Sequence, residues 1–100
     1  MSRFDSFRAF YPFYLSEHAN RISRRLHFTG SCGVLVLVAT AVSTRNAWWL
    51  PGALFCGYGF AWVGHFFFEK NRPATFRYPF YSFLGDWVMF KDILVGRVKL

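Results

Sequence analysis

The sequence predicts an all-α membrane protein. Its core is a helical hairpin of two spans, with an interfacial helix before it and an interfacial or re-entrant helix after it. Two observations carry that prediction. Of 100 residues, 54% are hydrophobic and 23% aromatic, with fourteen Phe. A soluble domain of this length has too little interior to hide so much apolar surface. The second observation is where the charge lies. Arg3, Arg8, Arg21, Arg24 and Arg25 precede the first apolar run; Lys70, Arg72, Arg77, Lys91, Arg97 and Lys99 follow the second. Only Arg45 lies between. That is the positive-inside pattern of a hairpin with both termini in the cytosol. A net charge of +7 would by itself suit nucleic acid, but charge divided this way orients a membrane protein and leaves no nucleic-acid surface. Residues 1–100 make one domain.

The elements can be read in chain order. Residues 1–10 are basic and aromatic and suit the membrane interface. Pro12 fits the first turn of a helix, where its missing N–H costs nothing. Phe13 to Ala19 reads as a short amphipathic helix on the membrane surface. Asn20 is a break and a cap. A helix resumes near Ile22 and turns apolar at Leu26. Its uncharged part, residues 26–44, is about 28 Å long, near the minimum for a span. Ser43 to Asn46 makes a polar turn, Trp48 and Trp49 lie at aromatic-belt depth, and Pro51 suits the next helix start.

The second span, residues 47–68, has 22 uncharged residues. Along it, Ala53, Gly57 and Ala61 share an i+4 ridge that leads to His65 and Glu69. Small residues at that spacing let another helix approach closely, either within the hairpin or in a homodimer. The loop Lys70 to Arg77 contains Pro73 and returns along the cytosolic face. Pro79 opens a last helix, residues 80–95. Asp86 near its middle would cost a few kcal/mol in a full span, which favours the interfacial or re-entrant placement. Its expected partner is a basic loop residue such as Arg77. Cys32 and Cys56 fall within apolar runs and read as buried free thiols.

The polar residues gather at one level. His18 ends the surface helix, His27 starts the first span and His65 ends the second, all on the cytosolic side. His18 and His27 are nine apart, which on one straight helix would set them on opposite faces. A break at Asn20 lets them converge. Three imidazoles with the carboxylate of Glu69 suit Fe(II), Zn(II) or Mn(II). Iron oxygenases and zinc hydrolases use similar sets, so ligand type alone does not choose between them. The plainer alternative is a non-catalytic membrane protein whose histidines anchor helix ends, with Glu69 paired to Lys70 or Arg72.

Laid out together, these residues form an ordered set. It comprises Phe13-Tyr14-Leu15-Ser16-Glu17-His18 with Asn20, then His27 with Gly30, then Gly57-Tyr58-Gly59, Trp62, Gly64-His65, Glu69 and Pro73. The pattern H-x-N…H-x-x-G…G-H-x-x-x-E-x-x-x-P resembles the fungal endoplasmic-reticulum 2-hydroxy-fatty-acid dioxygenase family and its small bacterial membrane relatives. The resemblance implies an Fe(II)-dependent α-oxidation in which a 2-hydroxy fatty acid and O2 give carbon dioxide and an acid one carbon shorter. It implies His18, His27 and His65 as iron ligands, with Zn as the alternative metal for a lipid hydrolase built on the same residues. Glu69 and Asn20 become catalytic candidates, and Arg21, Arg24 and Arg72 candidates for the substrate carboxylate. The implied location is a bacterial inner membrane, among membrane lipids. The chain is much shorter than the fungal enzyme, and its acidic, aromatic last helix has no clear counterpart there.

Overall fold

Helix formation starts earlier than the position of Pro12 predicts. In the computed structural model, which describes residues 4–73 and 76–100, Ser6 accepts the N–H of Ala9 and caps α1 (Phe7–Ser16). Pro12 therefore lies inside the helix instead of in its first turn. The strong N-cap outweighs the one backbone hydrogen bond that proline removes. Residues 1–3 of the expected interfacial segment, with Arg3, and residues 74–75 of the return loop lie outside the described residues.

Asn20 breaks the chain as its sequence position suggests. Its Oδ1 accepts the N–H groups of Ile22 and Ser23 and so caps α2 (Arg21–Thr44). Among the described residues this is the one helix long and apolar enough to cross a membrane, and only 22% of its apolar window is buried within the protein. A soluble core helix of that composition would be mostly covered. Arg45 ends α2 in the left-handed conformation at φ 54°, and Asn46 accepts the N–H of Trp48 to complete the turn. Ser43 and Thr44 stay helical, their hydroxyls bonded to the carbonyls of Ala39 and Thr40.

The second apolar run is divided. It forms α3 (Trp49–Val63) and then a π-helical segment, Gly64–Glu69. Length and composition thus establish one candidate span, not two. α3 returns antiparallel along α2, as paired contacts show. A Cβ on Gly30 would stand 2.9 Å from Phe60 Cβ and 3.3 Å from the Cys56 carbonyl, and one on Gly64 would stand 2.8 Å from Ser23 Oγ. Glycine at these two positions lets the backbones close. The cysteines are free thiols.

α4 (Pro79–Leu94) begins on Pro79 and buries Ser82, Gly85, Met89 and Asp92, a face with helical spacing. It packs on α1 and α2. Phe10, Tyr14 and Met89 form the tightest apolar core, so the core joins the two terminal helices. Tyr11 donates its hydroxyl to Asp92 Oδ2 at 2.8 Å. Beyond α4 the chain folds back to α2: Arg21 Nε donates to the Leu100 carbonyl and Arg24 Nε to that of Lys99. Among the described residues, all regular structure is helical.

Candidate metal centre

Three elements each deliver one imidazole to a common point. His18 lies in the short α1–α2 connection, His27 on the second turn of α2, and His65 at the start of the π-helical segment. All three are buried, at 1%, 5% and 2% exposure. The ring of His18 stands 4.4 Å from that of His27 and 4.5 Å from that of His65. One nitrogen from each lies within 4.8 Å of the others. Atoms so spaced share a point no more than about 2.8 Å from all three, against roughly 2.0–2.1 Å for an imidazole–metal bond. Small ring rotations close that gap.

The hydrogen bonds around the rings fix which nitrogens remain available. His18 Nδ1 donates to the Tyr14 carbonyl at 2.7 Å, which leaves Nε2 as a buried acceptor with no partner in the protein. Asn71 donates through Nδ2 to the Glu17 carbonyl, so its Oδ1 accepts from His65 Nδ1 at 2.7 Å. Asp86 Oδ1 lies 3.3 Å from His27 Nε2, and His27 Nδ1 is buried without a partner. Each imidazole is thus held on one nitrogen by an oxygen, the arrangement that orients metal-binding histidines. Orphaned imidazole nitrogens are costly to bury unless something takes their lone pairs. The donor set fits a metal ion.

Burial disfavours the imidazolium of His18, and the neighbouring His27 and His65 lower its proton affinity further, well below the ordinary value of 6.5. A neutral imidazole is the form a metal requires. Burial, then the Asp86 carboxylate, pushes the Tyr14 hydroxyl well above its ordinary value, so it stays a donor to Asp86 Oδ1. Tyr14 thereby supports two of the three histidines. Its ring stacks on His18 at 4.2 Å, its carbonyl holds His18 Nδ1, and its hydroxyl holds the carboxylate beside His27. Gly85 makes room for it, since a Cβ there would stand 2.8 Å from the tyrosine ring.

The other predicted residues go elsewhere. Glu69 Oε2 accepts the backbone N–H of Asn20 at 2.8 Å, and Asn20 Nδ2 reaches the Phe68 carbonyl. The two clip the start of α2 to the π-helical segment, and Glu69 is not in the group of converging ligand atoms. The i+4 spacing could not reveal that the backbone N–H of Asn20 takes the Glu69 carboxylate across this junction, which leaves it out of the histidine cluster. Arg24 donates to the carbonyls of His18, Ala19 and Lys99, bracing the loop that carries His18. Arg21 holds the Leu100 carbonyl, and the Arg72 guanidinium lies 5.4 Å above the Phe76 ring. Asp86 meets Tyr14 and His27 in place of the expected Arg77, because α4 turns that face toward α1 and α2.

Two spaces adjoin the histidines. A cavity of about 20 Å³ lies among them, lined also by Tyr14, Pro73 and Asp86, with room for one ion or water-sized molecule. A larger groove of about 360 Å³ starts at His27, Ser31 and Asp86 and runs between α2, α3 and α4 to Val38 and Leu50.

This constellation agrees with a family match along nearly the whole chain. Residues 4–98 match the model of a family described as 2-hydroxy-palmitic acid dioxygenase Mpo1-like. The chain belongs to the Mpo1-like family. No curated protein and no solved structure matches it. The Mpo1-like assignment bears out the resemblance read from the histidine and glycine pattern, and its extent to residue 98 takes in α4. Asp86, Asn71 and Tyr14 are the site residues that sequence reasoning missed. Asp86 had a signal, since an acidic side chain in an apolar helix is a functional candidate by default.

Proposed function

We propose that the protein is an Fe(II)-dependent dioxygenase acting on 2-hydroxy fatty acids at the cytosolic face of a membrane. One observation carries the reading: three buried histidines, two of them with unpartnered nitrogens, converge at the polar end of an otherwise apolar groove. The Mpo1-like family match and the sparsely covered apolar helix α2 support the substrate class and the membrane setting.

In the reaction, the bond between C1 and C2 of the 2-hydroxy acid breaks. C1 leaves as carbon dioxide, C2 is oxidised to a carboxyl group, O2 accepts the four electrons, and one water is formed. The metal, when bound, supplies the activation of O2 that carbon-centred substrates otherwise resist. His18, His27 and His65 would hold it. Tyr14, Asp86 and Asn71 orient the imidazoles, while Glu69 and Asn20 keep the π-helical segment against α2. Arg72, between the site residues Asn71 and Pro73, takes the substrate carboxylate. Arg21 and Arg24 act through the C-terminal carbonyls they hold. α3 and its π-helical extension form the second leg of the membrane hairpin.

Elemental analysis of detergent-purified protein, wild type beside His65→Ala, tests the reading. Near-stoichiometric iron that disappears in the variant is expected, followed by equal consumption of O2 and 2-hydroxypalmitate. Zinc in place of iron would turn the reading to a lipid hydrolase. No metal after anaerobic addition of Fe(II) would leave a non-catalytic membrane protein.

A further inference from the structure

The groove beside the histidines has polar groups at one end and hydrocarbon along the rest. His27, Ser31 and Asp86 form the polar end, and Tyr58 stands where the groove meets the small histidine cavity. From His27 to Val38 on α2, and from Ala61 to Leu50 on α3, the groove spans eleven residues, about 16 Å of helix. The ridge of Ala53, Gly57 and Ala61 lies along it, and the absence of bulky side chains there leaves the space. Leu54 on the rim is 64% exposed, so a chain can enter sideways from surrounding lipid.

We propose that this groove seats the acyl chain of the 2-hydroxy acid and sets its length, with the far end marked by Val38 and Leu50. The inference rests on the oxygenase reading, which places the head group at the histidines. The length of the groove gives its capacity. An extended hydrocarbon built from ~1.5 Å bonds advances roughly 1.25 Å per carbon, so about 16 Å takes about a dozen carbons. With the head-group carbons added, acids of about 14 to 16 carbons fill the groove. Shorter ones leave hydrocarbon-lined space unfilled, and each missing methylene weakens binding roughly fourfold.

The ridge supplies the variants. Ala53 lies two turns of helix beyond Ala61, about 12 Å along the groove, and Ala53→Phe closes the groove from that point to its far end. Leu50→Ala opens the far end. Gly57 is unsuitable, because any Cβ there would press on Val34 at 3.0 Å.

The test incubates the iron-loaded protein, in detergent, with an equimolar mixture of saturated 2-hydroxy acids of about 8 to 18 carbons. Native mass spectrometry reads which are retained, and O2 uptake with each acid singly reads turnover. Wild type is expected to retain acids of about 14 to 16 carbons at least tenfold over the shortest. Ala53→Phe, with its iron unchanged, shifts the preference about three or four carbons shorter, and Leu50→Ala shifts it longer. Turnover with one chain-length profile in all three proteins would overturn the groove assignment and leave the oxygenase reading standing. Length-selective retention without turnover would do the reverse. Retained phospholipid that no 2-hydroxy acid displaces would overturn the groove assignment as well. Should Ala53→Phe lose its iron through misfolding, Leu50→Ala decides alone, because residue 50 is 43% exposed and its truncation leaves the helix contacts in place.

Discussion

Asp86 has two partners, and their geometry says what it does. Its carboxylate accepts from Tyr14 and lies 3.3 Å from His27 Nε2, close enough to set the orientation of that ring. Asp86→Asn keeps the shape and removes the charge, and Tyr14→Phe removes the hydroxyl that aims it. Each variant is expected to weaken iron binding about 10- to 100-fold, measured by competition with a chelator, while helix content stays at the wild-type level. Unchanged affinity in both would show that the carboxylate plays no part in positioning His27. The histidines also predict a pH dependence with a definite sign. His18 is harder to protonate in the folded protein than its ordinary 6.5, so the unfolded chain binds more protons as pH falls. Stability is therefore at its plateau above that value and declines below it. Metal needs the same lone pair, but protons compete for it in the folded protein only well below 6.5, so iron is expected to be retained after stability has begun to fall. Thermal melts and bound iron measured together from about pH 7 to about pH 5 read the two effects. A melting temperature that stays level through about pH 6.5 would show that His18 does not contribute this linkage. The three histidines were legible in the sequence because the break at Asn20 could be read from residue type. The partners Asn71 and Asp86 were not, since their roles depend on how separate segments pack.

At the scale of elements, the site depends on how closely α3 and its π-helical extension approach α2. Gly64 precedes His65 and lies against Ser23, where any Cβ would collide with both the side chain and the Cα at 3.2 Å. Gly64→Ala is expected to destabilise the protein by about 1–3 kcal/mol and to reduce iron retention, because the clash pushes the His65 backbone outward. A thermal melt in detergent and elemental analysis read the two effects, and wild-type values for both would mean that the helices stand too far apart to clash. Asn20 tests the same junction from the other side. It caps α2 through two N–H groups and, through its own N–H, holds Glu69. Asn20→Ala removes the cap, a loss of about 1 kcal/mol, but leaves the backbone N–H that Glu69 accepts. The helix boundaries were largely readable from Asn20, Pro51 and Pro79. Two features were not. The start of α1 was set by Ser6 and not by Pro12, a contest between a cap and a proline that residue type alone does not decide. The π-helical segment was hidden because GHFFFE has no local signal that distinguishes one helical ladder from the other, and the role of Glu69 depended on its packing against the Asn20 backbone.

For the whole molecule, the question is how a chain with so many exposed apolar side chains meets its surroundings. Phe55, Phe67, Val42 and Leu54 on α2 and the α3 leg are all more than 60% exposed, while the C-terminal residues Lys99 and Leu100 fold back to the start of α2, at the histidine end. Such a surface must be covered, by hydrocarbon in the proposed membrane setting, or it would aggregate. The turn at Arg45 and Asn46 lies at the other end of α2, about 36 Å from Arg21 by helix length, which exceeds the ~30 Å hydrocarbon thickness of a bilayer. The placement of charge is the clearest cue to the proposed topology, while the π-helical division of the second leg leaves length alone a weaker guide. Single cysteines introduced at Asn46 and Lys99, in a Cys32→Ser/Cys56→Ser background, separate the arrangements. A membrane-impermeant maleimide applied to intact cells is expected to label position 46, and to label position 99 only after the membrane is opened. Labelling of both positions from the same side would mean that the hairpin lies in one leaflet. The histidine centre would survive that result, since its ligands are held by contacts within the chain. Its substrate would then have to arrive from that leaflet alone, with the groove lying along the membrane plane instead of across it.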